Sequence, residues 1–248
     1  MSAALQCRSI SVSYGRFNAV DDFSYGFEAG ELYGIIGPNG AGKTTLMNVI
    51  VGGKAPTLGS VILGGHDVTG LGVARRARLG LGRSFQISKI FAEMSVFENL
   101  RLAAQANAFP VQPWWRPASA YGTLADRARD MLVTVGLERH ADVAADKLSH
   151  GDQRALELGL ALMTSPKVLL LDEPLAGVGH HGLSKAIDLL ARLSEGRTVL
   201  LIEHNMNAVM RLAKNVLVMV NGRLVASGAP DEVRRDPAVR DAYLGSEG

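Results

Sequence analysis

The 248 residues are 47% hydrophobic and 20% charged, and 26 basic against 24 acidic side chains leave a net charge of +2. A chain of this length buries a sizeable core, as one large domain or as a core with an inserted subdomain, and its balanced charge argues against nucleic acid or an anionic membrane as the main partner. The single cysteine, Cys7, excludes an internal disulfide and suits a reducing compartment; there is no apolar run of about 18 residues to span a bilayer, and the first residues lack a signal peptide's basic-then-apolar layout.

Residues 5–14 partly alternate (Ile10, Val12, Tyr14) and residues 19–27 form a second strand-like run, so the chain opens on a small antiparallel unit. Tyr14 closes the first strand, where an aromatic either stacks on a flat ring or simply packs. Residues 31–45 organise the rest of the chain. An apolar strand candidate runs into Gly37, Pro38, Asn39, Gly40, Ala41, Gly42, Lys43, Thr44 and Thr45, and Gly37, Gly42, Lys43 and Thr44 satisfy the pattern G-x-x-x-x-G-K-S/T. Glycines let backbone N–H groups approach phosphate oxygens, and the next helix offers its positive N-terminus. Lys43 then reaches the β- and γ-phosphates and the Thr44 hydroxyl binds Mg²⁺. A glycine turn followed by a surface lysine is the plain alternative; the strand before and the helical 46–50 stretch after favour phosphate.

Residues 59–63 read as a short strand and 64–67 as its turn, with His66 a solvated turn residue. Arg75, Arg76 and Arg78 read as a solvated helix face. Residues 79–86 form a short apolar strand ending on Gln86, and 95–106 a helix capped by Ser95 with Glu98 three residues on. The stretch 109–122 is irregular, and its Trp114 and Trp115 either form an exposed partner patch or fold back on neighbouring helices. A helix resumes over 124–135 and stops at Gly136. At 148–154 Ser149 and Gly151 open another helix, as a generic N-cap or as a second place for phosphate.

Residues 166–174 are a continuous apolar run ending in Asp172 and Glu173, as expected of a parallel strand buried on both faces, at whose carboxyl end ligands sit. Residues 198–204 repeat the arrangement, with Glu203 and His204 at the exit. A hairpin over 215–226 turns at Asn221-Gly222, and 231–244 predict an amphipathic helix.

Together these stretches resemble an ATP-binding cassette ATPase, the nucleotide-binding subunit of ABC transporters, over essentially the whole chain. The matches fall in the family's order: Tyr14 as the adenine-stacking aromatic, Gly37 to Thr45 as Walker A, Gln86 as the Q-loop and Leu148 to Asp152 as the signature. Val168 to Asp172 resembles Walker B, Glu173 the catalytic glutamate and His204 the switch histidine. The resemblance implies an α/β fold, a P-loop NTPase with a RecA-like core (1–88 and 161–248), an N-terminal antiparallel β subdomain and an inserted α-helical subdomain (89–160). It implies ATP and Mg²⁺ as cofactors, the metal held through Thr44, Gln86 and Asp172. Glu173, His204 and Gln86 become the catalytic set. Ser149 and the Gly151 backbone bind the γ-phosphate across a dimer interface.

The phrases Arg83-Ser84-Phe85-Gln86, Leu201-Ile202-Glu203-His204-Asn205-Met206 and Asp241-Ala242-Tyr243-Leu244-Gly245 look most like the branched-chain amino acid importer subgroup, with lipopolysaccharide-export ATPases a close rival. The implied partners are a second ATP-binding subunit, identical or related, transmembrane permease subunits and, indirectly, a substrate-binding protein, with no nucleic acid. The implied location is peripheral, on the cytoplasmic face of the inner membrane. A soluble cassette ATPase acting on DNA or ribosomes is disfavoured by the single cassette, the lack of heptads and the near-neutral charge, and a regulator without turnover by Glu173 and His204. Two departures stand out: the signature reads Leu-Ser-His-Gly-Asp, placing His150 and Asp152 where the family has glycine and glutamine, and residues 175–180 lack the usual aspartate.

Overall fold

The computed structural model describes residues 3–84, 90–108, 122–237 and 239. Among these, the strands form two sheets. The first is antiparallel, in the order β2-β1-β4-β5, with β1 Ala3–Tyr14, β2 Phe17–Glu28, β4 Leu58–Leu63 and β5 His66–Asp67. His66 thus starts a short edge strand rather than sitting in the turn, which is made by Gly64 and Gly65, both at positive φ.

The second sheet runs β10-β9-β3-β8-β7-β6 and is built from β3 Leu32–Ile36, β6 Leu81–Arg83, β7 Val168–Asp172, β8 Thr198–Ile202, β9 Asn215–Val220 and β10 Arg223–Gly228. It is parallel from β9 to β6, and the β9–β10 hairpin, turning at Asn221 (φ 48°) and Gly222 (φ 81°), adds an antiparallel edge. Every residue of β3, β7 and β8 is buried, the signature of strands covered on both faces.

Alternation along these strands divides the core in two. Leu170, Leu200 and Ile202 face a layer shared with the first sheet and with helix α1 (Lys43–Val51). Leu169, Leu171, Val199 and Leu201 face the helices α3 (Val96–Ala108), α4 (Gly122–Val135), α5 (His150–Leu162), α6 (His180–Ser194) and α7 (Met206–Leu212). Helices α3, α4 and α5 pack on one another. The α/β architecture with an antiparallel β unit and a helical insertion is therefore the expected one. No helix among the described residues is long and apolar enough to cross a membrane.

Two further local expectations fail. Arg76, on the short helix α2 (Val73–Arg78), is completely buried rather than on a solvated face. Its guanidinium donates to the carbonyls of Leu71 (2.8 Å), Val49 (2.7 Å), Ile50 (2.7 Å) and Thr69 (2.9 Å). Val49 and Ile50 lie in the last turn of α1, where Val49 also accepts from the Gly52 N–H (3.1 Å) and a cation complements the helix dipole. The tail is not one continuous helix either: α8 spans Pro230–Arg235, and Asp236, at ψ 123°, leaves helical geometry because it precedes Pro237. Residues 109–121, with Trp114 and Trp115, lie outside the described residues.

Candidate nucleotide site at the exits of three parallel strands

Strand β8 lies between β3 and β7, and all three run parallel, so the segments that leave their carboxyl ends emerge side by side. They carry the glycine loop, the pair Asp172 and Glu173, and the pair Glu203 and His204.

The loop is shaped by steric exclusion. A Cβ on Gly37 would stand 2.1 Å from the Met219 carbonyl oxygen, and one on Gly42 (φ 96°) 2.2 Å from that of Ala19. Gly42 is the N-cap of α1; no side chain caps that helix and no acid lies in its first turn. Its N-terminal N–H groups and positive dipole end are thereby left to whatever anion the loop encloses. Asn39, Gly40 and Thr44 are exposed, Pro38 and Thr45 half-buried and Ala41 buried. Lys43, only 7% exposed, folds over the loop and donates to the carbonyls of Gly37 (2.6 Å) and Pro38 (2.9 Å). Burial lowers its pKa, while the nearby Glu173 and Asp172 carboxylates raise it, so the structure brings this ammonium and the two acids into one electrostatic neighbourhood.

Asp172 is 3% exposed, and burial raises its pKa against the opposing pull of Arg83. Arg83 Nη2 lies 3.2 Å from Asp172 Oδ2 and Nη1 donates to Asn48 Oδ1 at 2.7 Å, tying β6, β7 and α1 together. The other carboxylate oxygen, Asp172 Oδ1, is buried without a hydrogen-bond partner. A buried acceptor left open at the carboxyl end of β7 suits a hard divalent cation that shares its remaining ligands with phosphate and water. Among the described residues no group of three or more His, Cys, Asp or Glu is placed to hold a metal ion.

Glu173 has φ 51°, a conformation that non-glycine residues hold only when their surroundings impose it and that clusters at functional sites. Its N–H donates to the Ile202 carbonyl (2.9 Å), and its Oε1 lies 3.0 Å from Nε2 of His204. Glu203 is 5% exposed, and burial raises its pKa although three backbone N–H groups pull the other way.

Tyr14, Ser149 and Gly151 make contacts of their own. Tyr14 is 52% exposed, and the Lys54 ammonium sits 4.6 Å from its ring centroid. Ser149 and Gly151 stand at the start of α5, lining a cavity of about 550 Å³ with Pro174, Leu175 and Lys185; Lys43, Asp172, Glu173 and His204 are not among its walls. Ser149 Oγ accepts from the Asp152 N–H (3.2 Å) and donates to Asp152 Oδ2 (2.7 Å), so the Asp152 carboxylate folds back onto the cap. Gln86 lies outside the described residues.

Sequence reasoning noted the acid at Glu203 without giving it a role, and gave none to Arg83. The signal for Glu203 was present, since it follows a buried apolar run just as Asp172 does. Arg83 offered only a charge at the end of a short strand.

The pattern of the ABC transporter family matches residues 20–176, and that of the branched-chain amino acid ATP-binding cassette transporter matches residues 223–248. The high-affinity branched-chain amino acid transport ATP-binding protein LivG of Salmonella typhi is 36% identical over 97% of each chain. The lipopolysaccharide export system ATP-binding protein LptB of Acidithiobacillus ferridurans is 34% identical over 100% of this chain and 99% of its own. The crystal structure of an ATP-binding cassette of an ABC transporter in its ADP conformation superposes with a TM-score of 0.86 at 33% identity, covering 99% of this chain and 100% of that one. A glycine loop whose lysine lies within the electrostatic reach of Asp172 and Glu173, on a fold matched along nearly its whole length by relatives of 34–36% identity, leads to one conclusion: the chain belongs to the ABC transporter family, as an ATP-binding cassette ATPase.

Proposed function

We propose that this cassette hydrolyses ATP to drive an importer of branched-chain or related amino acids or small amides. The observation that carries the reading is the convergence of Lys43, Asp172, Glu173 and His204 at the exits of β3, β7 and β8. The family pattern over residues 223–248 and the likeness to LivG favour amino-acid import. The likeness to LptB supports lipopolysaccharide export as the second reading.

The loop from Gly37 to Thr45 and the N-terminus of α1 cradle the phosphates. Lys43 exchanges its contacts with the loop carbonyls for the β- and γ-phosphate oxygens and stabilises charge that develops as the terminal P–O bond loosens. Thr44 and Asp172, with Gln86, would hold Mg²⁺; when bound, the ion neutralises phosphate charge. Glu173 orients the attacking water or takes its proton, His204 contacts the γ-phosphate, and ADP and inorganic phosphate are released. Tyr14 stacks on adenine once Lys54 yields its ring face. Ser149 and the Gly151 backbone N–H, in a cavity apart from the cluster, bind the γ-phosphate of the opposite subunit. ATP therefore closes a dimer and hydrolysis reopens it.

Residues 89–160 form the inserted helical subdomain. It passes the movement to permease subunits, through which the cassette is held peripherally on the cytoplasmic face of the membrane.

Glu173→Gln tests this directly. The variant should bind ATP, lose turnover by about 10³-fold or more and accumulate as an ATP-bound dimer in gel filtration. Turnover at the wild-type rate overturns the role of Glu173. The transported class is read separately in cells lacking the gene, by uptake of radiolabelled leucine or amides for import and by delivery of lipopolysaccharide to the cell surface for export.

A further inference from the structure

The loops carrying Glu173 and His204 leave adjacent strands, and the Glu173 N–H extends the β ladder by one bond to the Ile202 carbonyl (2.9 Å). Between them sits the buried carboxylate of Glu203. Its Oε1 accepts from the Leu175 N–H (2.7 Å), two residues past Glu173. Its Oε2 accepts from the N–H groups of His204 (3.1 Å) and Asn205 (3.5 Å). One side chain thus spans both loops. A carboxylate taken out of water at such a place is costly and persists because donors surround it; here they are backbone amides rather than a cation.

We propose that Glu203 is a positioning residue for hydrolysis: it clamps the Leu175 and His204 backbones together, so that Glu173 and His204 meet at 3.0 Å around the attacking water and the γ-phosphate. This rests on the roles given to Glu173 and His204 above. The Leu175 contact also gives His204 a route outward. Leu175 lines the cavity that holds Ser149, so a shift of His204 on loss of the γ-phosphate moves the wall of the second half-site through Glu203.

Glu203→Gln is the decisive variant. It keeps the size of the side chain but turns an NH₂ toward a backbone N–H, breaking one arm of the clamp. Purified protein is assayed for kcat and KM with ATP and for ADP affinity by calorimetry, beside Glu173→Gln, His204→Ala and the double variant Glu203→Gln/His204→Ala. We expect kcat to fall by about 10²-fold, as for a displacement near 1 Å, with ADP affinity within about twofold of wild type. In the His204→Ala background Glu203→Gln should cause a clearly smaller loss than in the wild type, the part that acts through the Leu175 arm and Glu173. A merely structural glutamate would shift the unfolding midpoint without that split or that non-additivity. Wild-type kcat in Glu203→Gln, or full additivity with His204→Ala, overturns the proposal. Should Glu203→Gln fail to fold, Glu203→Asp, with the charge kept and the reach shortened by one methylene, takes its place with the same expected outcomes. If Glu173→Gln and His204→Ala themselves turn over normally, the reading of the catalytic pair is at fault; if only Glu203→Gln does, the clamp alone falls.

Discussion

Helices α1 and α5 each begin where a phosphate is expected, and they begin differently. Gly42 caps α1 with no side chain, its first turn carries no acid, and at the far end Arg76 satisfies the Val49 and Ile50 carbonyls. Ser149 caps α5, and Asp152 supplies both the N–H and the carboxylate that occupy the serine hydroxyl. The first helix is an open dipole with its negative end already neutralised. The second provides its own anion. An uncapped N-terminus is a cost the fold tolerates where a ligand will complete it, whereas a self-capped one remains stable in a lone subunit and, under the dimer reading proposed above, would exchange partners when a second subunit brings phosphate.

Removing the cation at the open end should have the largest effect. Lys43→Ala should weaken MgATP and MgADP binding by at least about 10²-fold in calorimetry, because the lysine is the charge enclosed by the loop and the two acids. Retained affinity would mean that the open dipole binds phosphate by backbone alone.

Ser149→Ala acts at the closed end and should separate stability from chemistry. Loss of the cap should lower unfolding stability by about 1 kcal/mol in a urea titration. ADP binding to the monomer should be unchanged, since Ser149 lies in a cavity apart from Lys43. ATP-driven dimerisation, measured in the Glu173→Gln background, should weaken by about tenfold, the loss of one charge-assisted hydrogen bond. A matching loss of ADP affinity would mean that the two helix starts serve a single site within one chain.

The open end was the more legible in the sequence. A glycine pattern dictated by close backbone approach leaves few alternatives, and apolar runs ending in acids located β7 and β8. The α/β fold was what the family resemblance of those motifs, taken together, implied. What stayed hidden depends on contacts far apart in the chain. Arg76 reads as a surface charge until the carbonyls at the end of α1, 26 residues away in sequence at Ile50, close around it. Arg83 is inconspicuous until Asp172, 89 residues later, needs a counter-charge. The fold-back of Asp152 onto Ser149 is local, but sequence alone does not say whether such an acid faces its own cap or a ligand.

Asp152→Asn should have the smallest effect and probes that exchange of partners most closely. Asparagine keeps an acceptor for the Ser149 hydroxyl but removes the negative charge at the start of α5. The helix should lose about 0.3–1 kcal/mol of favourable dipole interaction, visible in urea unfolding. Freed from a carboxylate, the hydroxyl turns to phosphate at lower cost, and one negative charge no longer faces another across the interface. ATP-driven dimerisation in the Glu173→Gln background should therefore tighten by a few-fold, the gain shrinking as salt screens the repulsion. Unchanged or weaker dimerisation would place the Asp152 carboxylate among the attractive contacts of the closed state, and the contrast between an open and a self-occupied helix start would then hold for the lone subunit only.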